Sequence, residues 1–349
     1  MSELRQILDL WKRASAAGEE VCVATVVAVE GSAYRHPGAR MLLTASGQRA
    51  GTISGGCLEA EVAKKAWWLT EQGPSIQRYS SFFDDDGDAP YGLGCGGTVI
   101  VLLERGEAAA QALEALRRSV EERTASVIVT CTATESPGTA VILSDAGEIV
   151  HSRSSDTDLS ILAREAFKTG QSGQVAKFFV EMIAPPPALI IFGAGDDAQP
   201  LVEFAATLGW HVTVADGRSH LARSERFPRA AQVAGLDTAL AQVGPADAAV
   251  IMTHSYEQDD RILRALLPRE MKYLGILGPR RRTERLVGDI GRDLGLTSKE
   301  CMLRLHTPVG LDLGGHSPAT IALSIAAELQ TVFAGREARK LRSAPAIHA

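Results

Sequence analysis

A glycine motif between a predicted strand and a predicted helix constrains the fold of this 349-residue chain more than any other feature. Residues 190–198 read IIFGAGDDA and overlap a buried strand predicted from Ala188 to Phe192. The GxGxxG/A pattern falls on Gly193, Gly195 and Ala198. In this pattern the first glycine makes a tight turn, the second admits a pyrophosphate, and the last small residue allows close helix–strand packing. The motif therefore predicts a Rossmann-like, nucleotide-binding sheet.

The residues around this motif bear on which nucleotide would bind. Asp216 ends the next predicted strand, where a carboxylate accepts the ribose 2′-hydroxyl of NAD. Arg218 could instead hold the 2′-phosphate of NADP, so both cofactors stay open. Asp196 and Asp197 lie where the pyrophosphate would be, and their charges repel it unless they point away. A Rossmann fold that binds no nucleotide is the alternative.

Prolines divide the chain, since residues 184–187 read APPP and proline resists the interior of helices. After them, strands alternate with helices, which is typical of a doubly wound parallel sheet. Before them, hairpins interleave with helices, which favours an α+β domain with a mixed sheet. We therefore predict an α/β protein with an N-terminal α+β domain at 1–183 and a C-terminal Rossmann-like domain at 184–349. The length suits two domains of roughly 150 residues.

Composition excludes several classes of protein. The chain has 36 Lys and Arg against 42 Asp and Glu, so its net charge of −6 gives no global positive field for nucleic acid. Only 5% of the residues are aromatic, which argues against a stacking platform for single strands. No apolar run approaches the length of a membrane span. Residues 1–11 read MSELRQILDLW and lack the apolar core expected of a signal peptide. Five scattered cysteines without a CxxC indicate reduced thiols and a cytoplasmic protein.

Two of these cysteines lie in glycine-rich segments. Residues 52–59 read TISGGCLE and place Cys57 at the start of a predicted helix, whose dipole favours the thiolate. Gly55 and Gly56 leave room for a ligand, and Cys95 lies within GLGCGG. We therefore predict that Cys57 and Cys95 are reactive or ligand-binding thiols. The alternative is that both are small buried residues in tight turns.

Two basic segments are candidate anion sites. GSAYRHPGAR carries Arg35 and Arg40 between two strands, although a solvated hairpin would have the same pattern. GPRRR places Arg280 and Arg281 at the start of a predicted helix, where free N–H groups attract an anion. A solvated helix face is the alternative there. His254, after another strand, is a candidate acid or base but equally a structural residue.

Seven segments of the chain resemble segments of the XdhC/CoxI family and occur in the same order. They are GSAYRHPGARM, GTISGGCLEAEV and GLGCGG before the prolines, and LIIFGAGDDAQPL, THSYEQDDRIL, YLGILGPRRR and PVGLDLGGHSPATIALSIAAEL after them. The resemblance covers nearly the whole chain and is far more specific than the glycine motif alone.

The resemblance implies a maturation factor for molybdenum hydroxylases such as xanthine dehydrogenase and carbon monoxide dehydrogenase. Members bind the molybdenum cofactor, support its sulfuration with a cysteine desulfurase and deliver it to the apo-enzyme, commonly as dimers. The family's cysteine motifs fall on Cys57 and Cys95, which implies that these thiols ligate molybdenum or carry a persulfide. Arg35, Arg40 and the segment 280–282 then become candidates for the phosphate of the cofactor.

Two other functions compete with this expectation. An NAD(P)-dependent oxidoreductase would use His254 as proton donor, but the sequence has no convincing Lys, Tyr or His–Asp constellation for hydride transfer. A scaffold between proteins would need no small ligand and would not need two glycine-rich cysteine loops. We therefore expect a chaperone rather than an enzyme. Asp196 stands where many family members have histidine after the GxG, which puts nucleotide binding there in question.

Overall fold

The computed structural model describes residues 2–56, 58–80, 97–153, 157–340 and 342. They form two compact units, one of residues 3–185 and one that starts at Pro186. Cys57 and Cys95, which carry two of our predictions, lie outside the described residues. Among the residues that are described, no helix combines the length and the apolar character needed to cross a bilayer.

The N-terminal unit begins with a sheet and three helices. Its elements are α1 (Glu3–Ala16), β1 (Val21–Gly31), β2 (Arg40–Thr44), β3 (Arg49–Gly51), α2 (Glu59–Leu69), β4 (Ser75–Ser80), β5 (Gly97–Arg105) and α3 (Gly106–Glu121). The strands pair antiparallel in the order β3-β2-β1-β5-β4. The valine-rich β1 is central, and its first seven residues are all buried, as expected for a strand that is covered on both faces.

A second sheet completes this unit. Its elements are β6 (Ser126–Cys131), β7 (Gly138–Ser144), β8 (Ile149–Ser152), α4 (Thr157–Thr169), β9 (Gly173–Val175) and β10 (Phe178–Ile183). The strands pair antiparallel in the order β8-β7-β6-β10-β9. The α+β class is confirmed, with two antiparallel sheets in place of the single mixed sheet that we expected. β9 and β10 form a hairpin, because the backbone turns at Ala176, where φ is 50°.

The two sheets of the N-terminal unit share their core. Ile7 of α1 and Leu113 of α3 pack in one cluster with Ile128 and Ile142 of the second sheet. Val27 of β1 belongs to a smaller cluster together with the β10 phenylalanine at position 179. This shared packing fixes the sheets relative to each other, and with them the loop between β1 and β2.

The C-terminal unit is a parallel sheet between two layers of helices. Its elements are β11 (Ala188–Phe192), α5 (Ala198–Thr207), β12 (His211–Asp216), β13 (Gln232–Gly235), α6 (Leu236–Gln242), β14 (Ala248–Ile251), α7 (Tyr256–Leu266), β15 (Tyr273–Ile276), α8 (Arg280–Leu294), α9 (Ser298–Leu303) and α10 (Pro318–Phe333). The strand order β13-β12-β11-β14-β15 is that of a Rossmann sheet. Helices α5 and α10 cover one face of the sheet, and α7 and α8 cover the other. The predicted doubly wound parallel sheet is therefore confirmed.

Candidate functional site

The glycine loop before α2 is closed around the carboxylate of Glu59. Its Oε1 accepts the backbone N–H groups of Ile53 at 3.1 Å and Ser54 at 2.9 Å. Its Oε2 accepts the hydroxyl of Ser54 at 2.7 Å. That hydroxyl oxygen accepts in turn the N–H groups of Gly56 and Leu58. The polar groups of residues 53, 54, 56, 58 and 59 thus satisfy one another, which holds these residues in one arrangement.

Glu59 was not among the predicted site residues, although an acidic residue in the first turn is a known signal for the start of a helix. Burial raises the pKa of Glu59, but its hydrogen bonds with Ser54 and Ile53 outweigh burial and bring the pKa below its ordinary value of 4.5. Glu59 is therefore a carboxylate at neutral pH. Glu59 follows Cys57 by two positions in the sequence.

The loop between β1 and β2 lies against this glycine loop through Tyr34. Two carbons of the Tyr34 ring lie 3.8 Å from the point where a Cβ on Gly55 would stand. The tyrosine is nevertheless 79% exposed. Gly56 has φ of 114°, and a side chain there would meet nothing within 4 Å. An exposed aromatic ring beside two glycines offers a flat surface on which a planar heterocycle can stack.

Arg35 connects the same two loops and is already paired. Its guanidinium donates to both carboxylate oxygens of Glu3, at 3.0 and 2.9 Å, and to the hydroxyl of Thr52. The backbone N–H of Thr52 donates to Glu3 as well, at 2.7 Å. The structure therefore brings together the two segments that carry Arg35 and Gly55. An anion at Arg35 would have to compete with Glu3.

Arg40 lies inside the unit. Its Nη1 donates to Glu181 at 2.8 Å and to the carbonyl of Gly38 at 2.9 Å. Burial lowers the pKa of Arg40, but Glu181 raises it by more, so the guanidinium stays charged. We predicted Arg40 as an anion ligand. The structure instead gives it a structural ion pair, because its charge is neutralised within the core.

The GLGCGG segment enters the described structure at Gly97. This residue begins β5 and pairs with Gly31 at the end of β1. A Cβ on Gly97 would overlap the carbonyl oxygen of Ser32, so only glycine fits there. Gly97 therefore lies beside the start of the loop that carries Tyr34, and it follows Cys95 by two positions in the sequence.

The other cysteines are buried. Cys22, Cys131 and Cys301 are free thiols in the interior. Burial raises the pKa of Cys22 to about 12, which suppresses the nucleophilic thiolate. In the described part of the chain, no three His, Cys, Asp or Glu side chains are grouped as ligands for a metal ion.

At the glycine motif of the C-terminal unit, backbone geometry requires small residues. Gly193 has φ of 125°, and a Cβ there would overlap the carbonyl group of Met252. Ala198, at the start of α5, is completely buried. Gly193 therefore makes the tight turn after β11, and Ala198 packs α5 against the sheet.

Carboxylates occupy the space beside this turn. Asp197 directs Oδ1 to a point 2.6 Å from where a Cβ on Gly195 would stand. Its Oδ2 lies 2.6 Å from Nε2 of His254. Asp196 is 92% exposed and pairs with Arg226 at 2.6 Å. Asp197 thus covers the glycine that a pyrophosphate would approach, and its carboxylate does not point away.

Asp216 and Arg218 bind each other. The carboxylate of Asp216 accepts the N–H of Ala194 at 2.9 Å, the N–H of Arg218 at 2.9 Å and two guanidinium N–H groups of Arg218. Burial raises the pKa of Asp216, but these hydrogen bonds, above all those with Arg218, lower it by more. Asp216 therefore fixes the glycine turn. Either of the predicted roles, with ribose or with a 2′-phosphate, requires this pair to separate.

The arginines at the start of α8 have different surroundings. Arg280 is exposed, and its Nε donates to Oε1 of Glu284, one turn along the helix, at 3.0 Å. Arg281 is exposed. Arg282 pairs with the buried carboxylate of Asp259 and is therefore structural. Of the three, Arg281 is the residue best placed to meet a ligand from solvent.

Known proteins match the chain in both units. Residues 14–80 match the profile of the XdhC and CoxI family, and residues 189–329 match that of the XdhC Rossmann domain. A probable xanthine dehydrogenase subunit of Bacillus subtilis is 34% identical over 325 residues, which cover 89% of this chain and 92% of the relative. The molybdenum cofactor insertion chaperone PaoD of Escherichia coli is 26% identical, with 94% of this chain and 88% of that protein covered.

A solved structure agrees with these matches. A crystal structure described as a xanthine dehydrogenase from Bacillus halodurans is 30% identical in sequence and superposes with a TM-score of 0.78. The superposition covers 99% of this chain and 98% of that one. The chain belongs to the XdhC and CoxI family.

Proposed function

We propose that this protein binds the molybdenum cofactor with its N-terminal unit, supports its sulfuration and delivers it to a hydroxylase of the xanthine dehydrogenase or carbon monoxide dehydrogenase type. The observation that carries the proposal is the exposed ring of Tyr34 over Gly55, in the loop that contains Cys57. Two relatives support it, one by its name as a molybdenum cofactor insertion chaperone and one by its name as part of a probable xanthine dehydrogenase.

Each residue of this surface has a role that follows from its chemistry. Tyr34 stacks against the planar pterin, and Gly55 and Gly56 let the ligand approach the backbone. Cys57, and Cys95 as its partner, supply soft sulfur for a molybdenum centre that already has sulfur ligands. The thiols act as ligands of molybdenum or carry a persulfide whose sulfur comes from a cysteine desulfurase.

Few cations are available to bind the phosphate of the cofactor. Arg35 can hold it only by sharing its guanidinium with Glu3. Arg40 is buried with Glu181 and has no place in the proposal. Arg280 and Arg281 are both exposed and remain candidates for an anion on the C-terminal unit itself.

Retention of the cofactor tests the proposal directly. The purified protein is incubated anaerobically with molybdenum cofactor, and retained molybdenum and pterin are measured after gel filtration. We expect near-stoichiometric retention by the wild type and loss in Cys57→Ala, with a smaller loss in Cys95→Ala. Cys131→Ala is the matched control because it removes a buried thiol from the same unit. A folded wild type that retains nothing, or a Cys57→Ala/Cys95→Ala double variant that retains as much as the wild type, contradicts the proposal.

The proposal also includes the partner proteins and the oligomeric state. We propose a cytoplasmic homodimer that contacts both a cysteine desulfurase and the apo-hydroxylase. Light scattering coupled to gel filtration measures the mass. Transfer of ³⁵S from the desulfurase to Cys57 or Cys95 distinguishes a persulfide carrier from a pure thiolate ligand.

An NAD(P)-dependent oxidoreductase is the second candidate. It would use the glycine motif of the C-terminal unit, where Asp197 covers Gly195 and Asp216 pairs with Arg218. These contacts oppose a dinucleotide, so the arrangement favours this function less.

A further inference from the structure

A groove lies on the C-terminal unit where β15 begins. Its walls are the segment between α7 and β15, the first two residues of β15 and the residues 303–306 at and after the end of α9. It encloses about 670 Å³, which is within the range of sites for small molecules. The glycine motif follows the end of the parallel strand β11. The groove is therefore at the opposite edge of the sheet from that motif.

The groove is basic although the chain is acidic. Arg269, Lys272 and Arg304 line it, against the single carboxylate of Glu270. The two arginines each donate to a backbone carbonyl at 2.8 Å, which fixes them without cancelling their charge. No ion pair joins any of these three cations to a carboxylate within the described ranges. In a protein with a net charge of −6, such a concentration of cations favours an anionic ligand.

His306 lines the same groove and is held by a buried polar network. Its Nδ1 lies 2.8 Å from Oε1 of Glu328 on α10. Its ring stacks on that of Tyr273, with centroids 4.1 Å apart and planes inclined by 28°. The second oxygen of Glu328 accepts the Tyr273 hydroxyl and the N–H of Gly310, both at 2.6 Å. The imidazole therefore has one orientation.

The network also fixes which nitrogen of His306 is available. Burial raises the pKa of Glu328, but the hydrogen bonds from His306 and Tyr273 lower it by more, so it is a carboxylate. A carboxylate can only accept, and Nδ1 must therefore carry the hydrogen. Nε2 is the free nitrogen of a side chain that is 41% exposed. Packing explains the pair of Tyr273 and Glu328, but it gives no reason to present an oriented imidazole beside Arg269, Lys272 and Arg304.

We propose that this groove binds the phosphate group of a small metabolite. Nε2 of His306 accepts the hydrogen of a protonated phosphate oxygen, while Arg269, Lys272 and Arg304 supply the balancing charge. A phosphate is favoured over a carboxylate because a phosphate that carries one proton can donate to Nε2 and still accept from the three cations, whereas an ionised carboxylate can only accept. The site is separate from the surface around Tyr34, so it does not depend on the function proposed above.

Calorimetric titration of the full chain with inorganic phosphate tests the proposal, with acetate at the same ionic strength as the comparison anion. We expect saturable binding of phosphate at one site and much weaker binding of acetate. Lys272→Met should weaken phosphate binding about tenfold, the usual effect of losing one charge-assisted contact. His306→Gln should weaken it at least as much. Lys299→Met is the matched control, because this exposed lysine lies on α9 outside the groove.

The outcomes separate cleanly. Lys272 is exposed, and its side chain has no hydrogen bond or ion pair with the described residues. Lys272→Met therefore keeps the test valid even if His306→Gln unfolds, which thermal melting would show. The absence of saturable phosphate binding overturns the proposal. So does equal binding by the wild type, Lys272→Met and Lys299→Met. Acetate that binds as tightly as phosphate overturns the assignment to phosphate.

Discussion

Arg40 of β2 and Glu181 of β10 form an ion pair between the two sheets of the N-terminal unit, with Nη1 2.8 Å from Oε1. Their side chains are only 8% and 11% exposed. A second carboxylate, Glu104 of β5, accepts the N–H and the hydroxyl of Thr139 on β7. These two polar contacts fix how the sheets are aligned. Because β2 begins at Arg40, they also fix where the loop that carries Tyr34 returns to the sheet.

Replacing Arg40 should destabilise the protein strongly. Arg40→Met leaves Glu181 charged and buried without a partner, which typically costs about 3–5 kcal/mol. Arg40→Met/Glu181→Leu should recover most of that loss, because both charges are then gone. Denaturant unfolding of the two single variants and the double variant measures the coupling. The control is Arg78→Ala, in a pair with Glu30 whose side chains are more than half exposed, with an expected cost of at most about 1 kcal/mol. Equal costs for Arg40→Met and Arg78→Ala would show that burial of the pair is unimportant.

Glu59 should make the stability of the glycine loop depend on pH. Its folded pKa is below its unfolded value near 4.5, so its contribution is present above that pH and is lost as the pH falls through the folded pKa. Glu59→Gln should cost about 1–3 kcal/mol at pH 7, because buried donors lose a charged acceptor. The difference from the wild type should shrink below about pH 4.5. Urea unfolding from pH 7 to pH 3 measures it, with the exposed Glu71→Gln as control. A difference that is constant over this range would contradict the role of the charge.

Strong local patterns made part of the fold predictable. The bounds of β11 match the predicted ones, since β11 is an uninterrupted buried run. The start of α10 carries the Ser-Pro signal of a helix, and Ser317 caps it. The strands β4 and β13 were missed. β4 reads SIQRYS with one fully buried residue, and β13 reads QVAG with none. Both are edge strands, and their pairing depends on a neighbouring strand rather than on an apolar pattern of their own.

The sequence motifs of the candidate site were predictable, but the side chains with which their residues pair were not. The sequence indicated that Arg35, Gly55 and Gly56 belong to loops with a function, and the structure places these loops in contact. The sequence could not indicate that Arg35 pairs with Glu3, or that Arg40 pairs with the carboxylate of Glu181, 141 residues away. Such pairs depend on the fold, whereas the pattern of glycines and cysteines is local.

Tyr34 should contribute to cofactor affinity through its ring. Tyr34→Ala should weaken binding of the molybdenum cofactor by about 5- to 150-fold, since stacking on an aromatic side chain is worth about 1–3 kcal/mol per nucleobase. Tyr34→Phe should bind almost as the wild type does, because the ring remains. Trp68→Ala removes another exposed aromatic side chain, from α2, and serves as control. Pterin fluorescence of the retained cofactor gives the affinities. Equal affinities of Tyr34→Ala and Trp68→Ala for the cofactor would contradict the stacking role of Tyr34.

Gly193→Ala should destabilise the C-terminal unit through strain and overlap together. The residue has φ of 125°, and a methyl group would overlap the Met252 carbonyl, so we expect a loss of about 2 kcal/mol or more. Gly295→Ala separates the two causes. Gly295 has φ of 67° but open space around its Cβ position, so only the strain of about 1 kcal/mol remains. Thermal and urea unfolding of both variants measure the difference. Equal effects would mean that the approach to Met252 is unimportant.

Asp197 should oppose dinucleotide binding at the glycine motif. Its carboxylate lies over Gly195 and beside Nε2 of His254, where the negative pyrophosphate would be placed. Removing one charge near a partly exposed site should therefore strengthen NADH or NADPH binding about tenfold, well below the unscreened Coulomb value. Titration of cofactor fluorescence compares the wild type with Asp197→Asn. Asp237→Asn, an exposed carboxylate elsewhere on the same unit, controls for the change in net charge. Tight binding by the wild type that Asp197→Asn leaves unchanged would mean that Asp197 moves aside, and would favour the oxidoreductase.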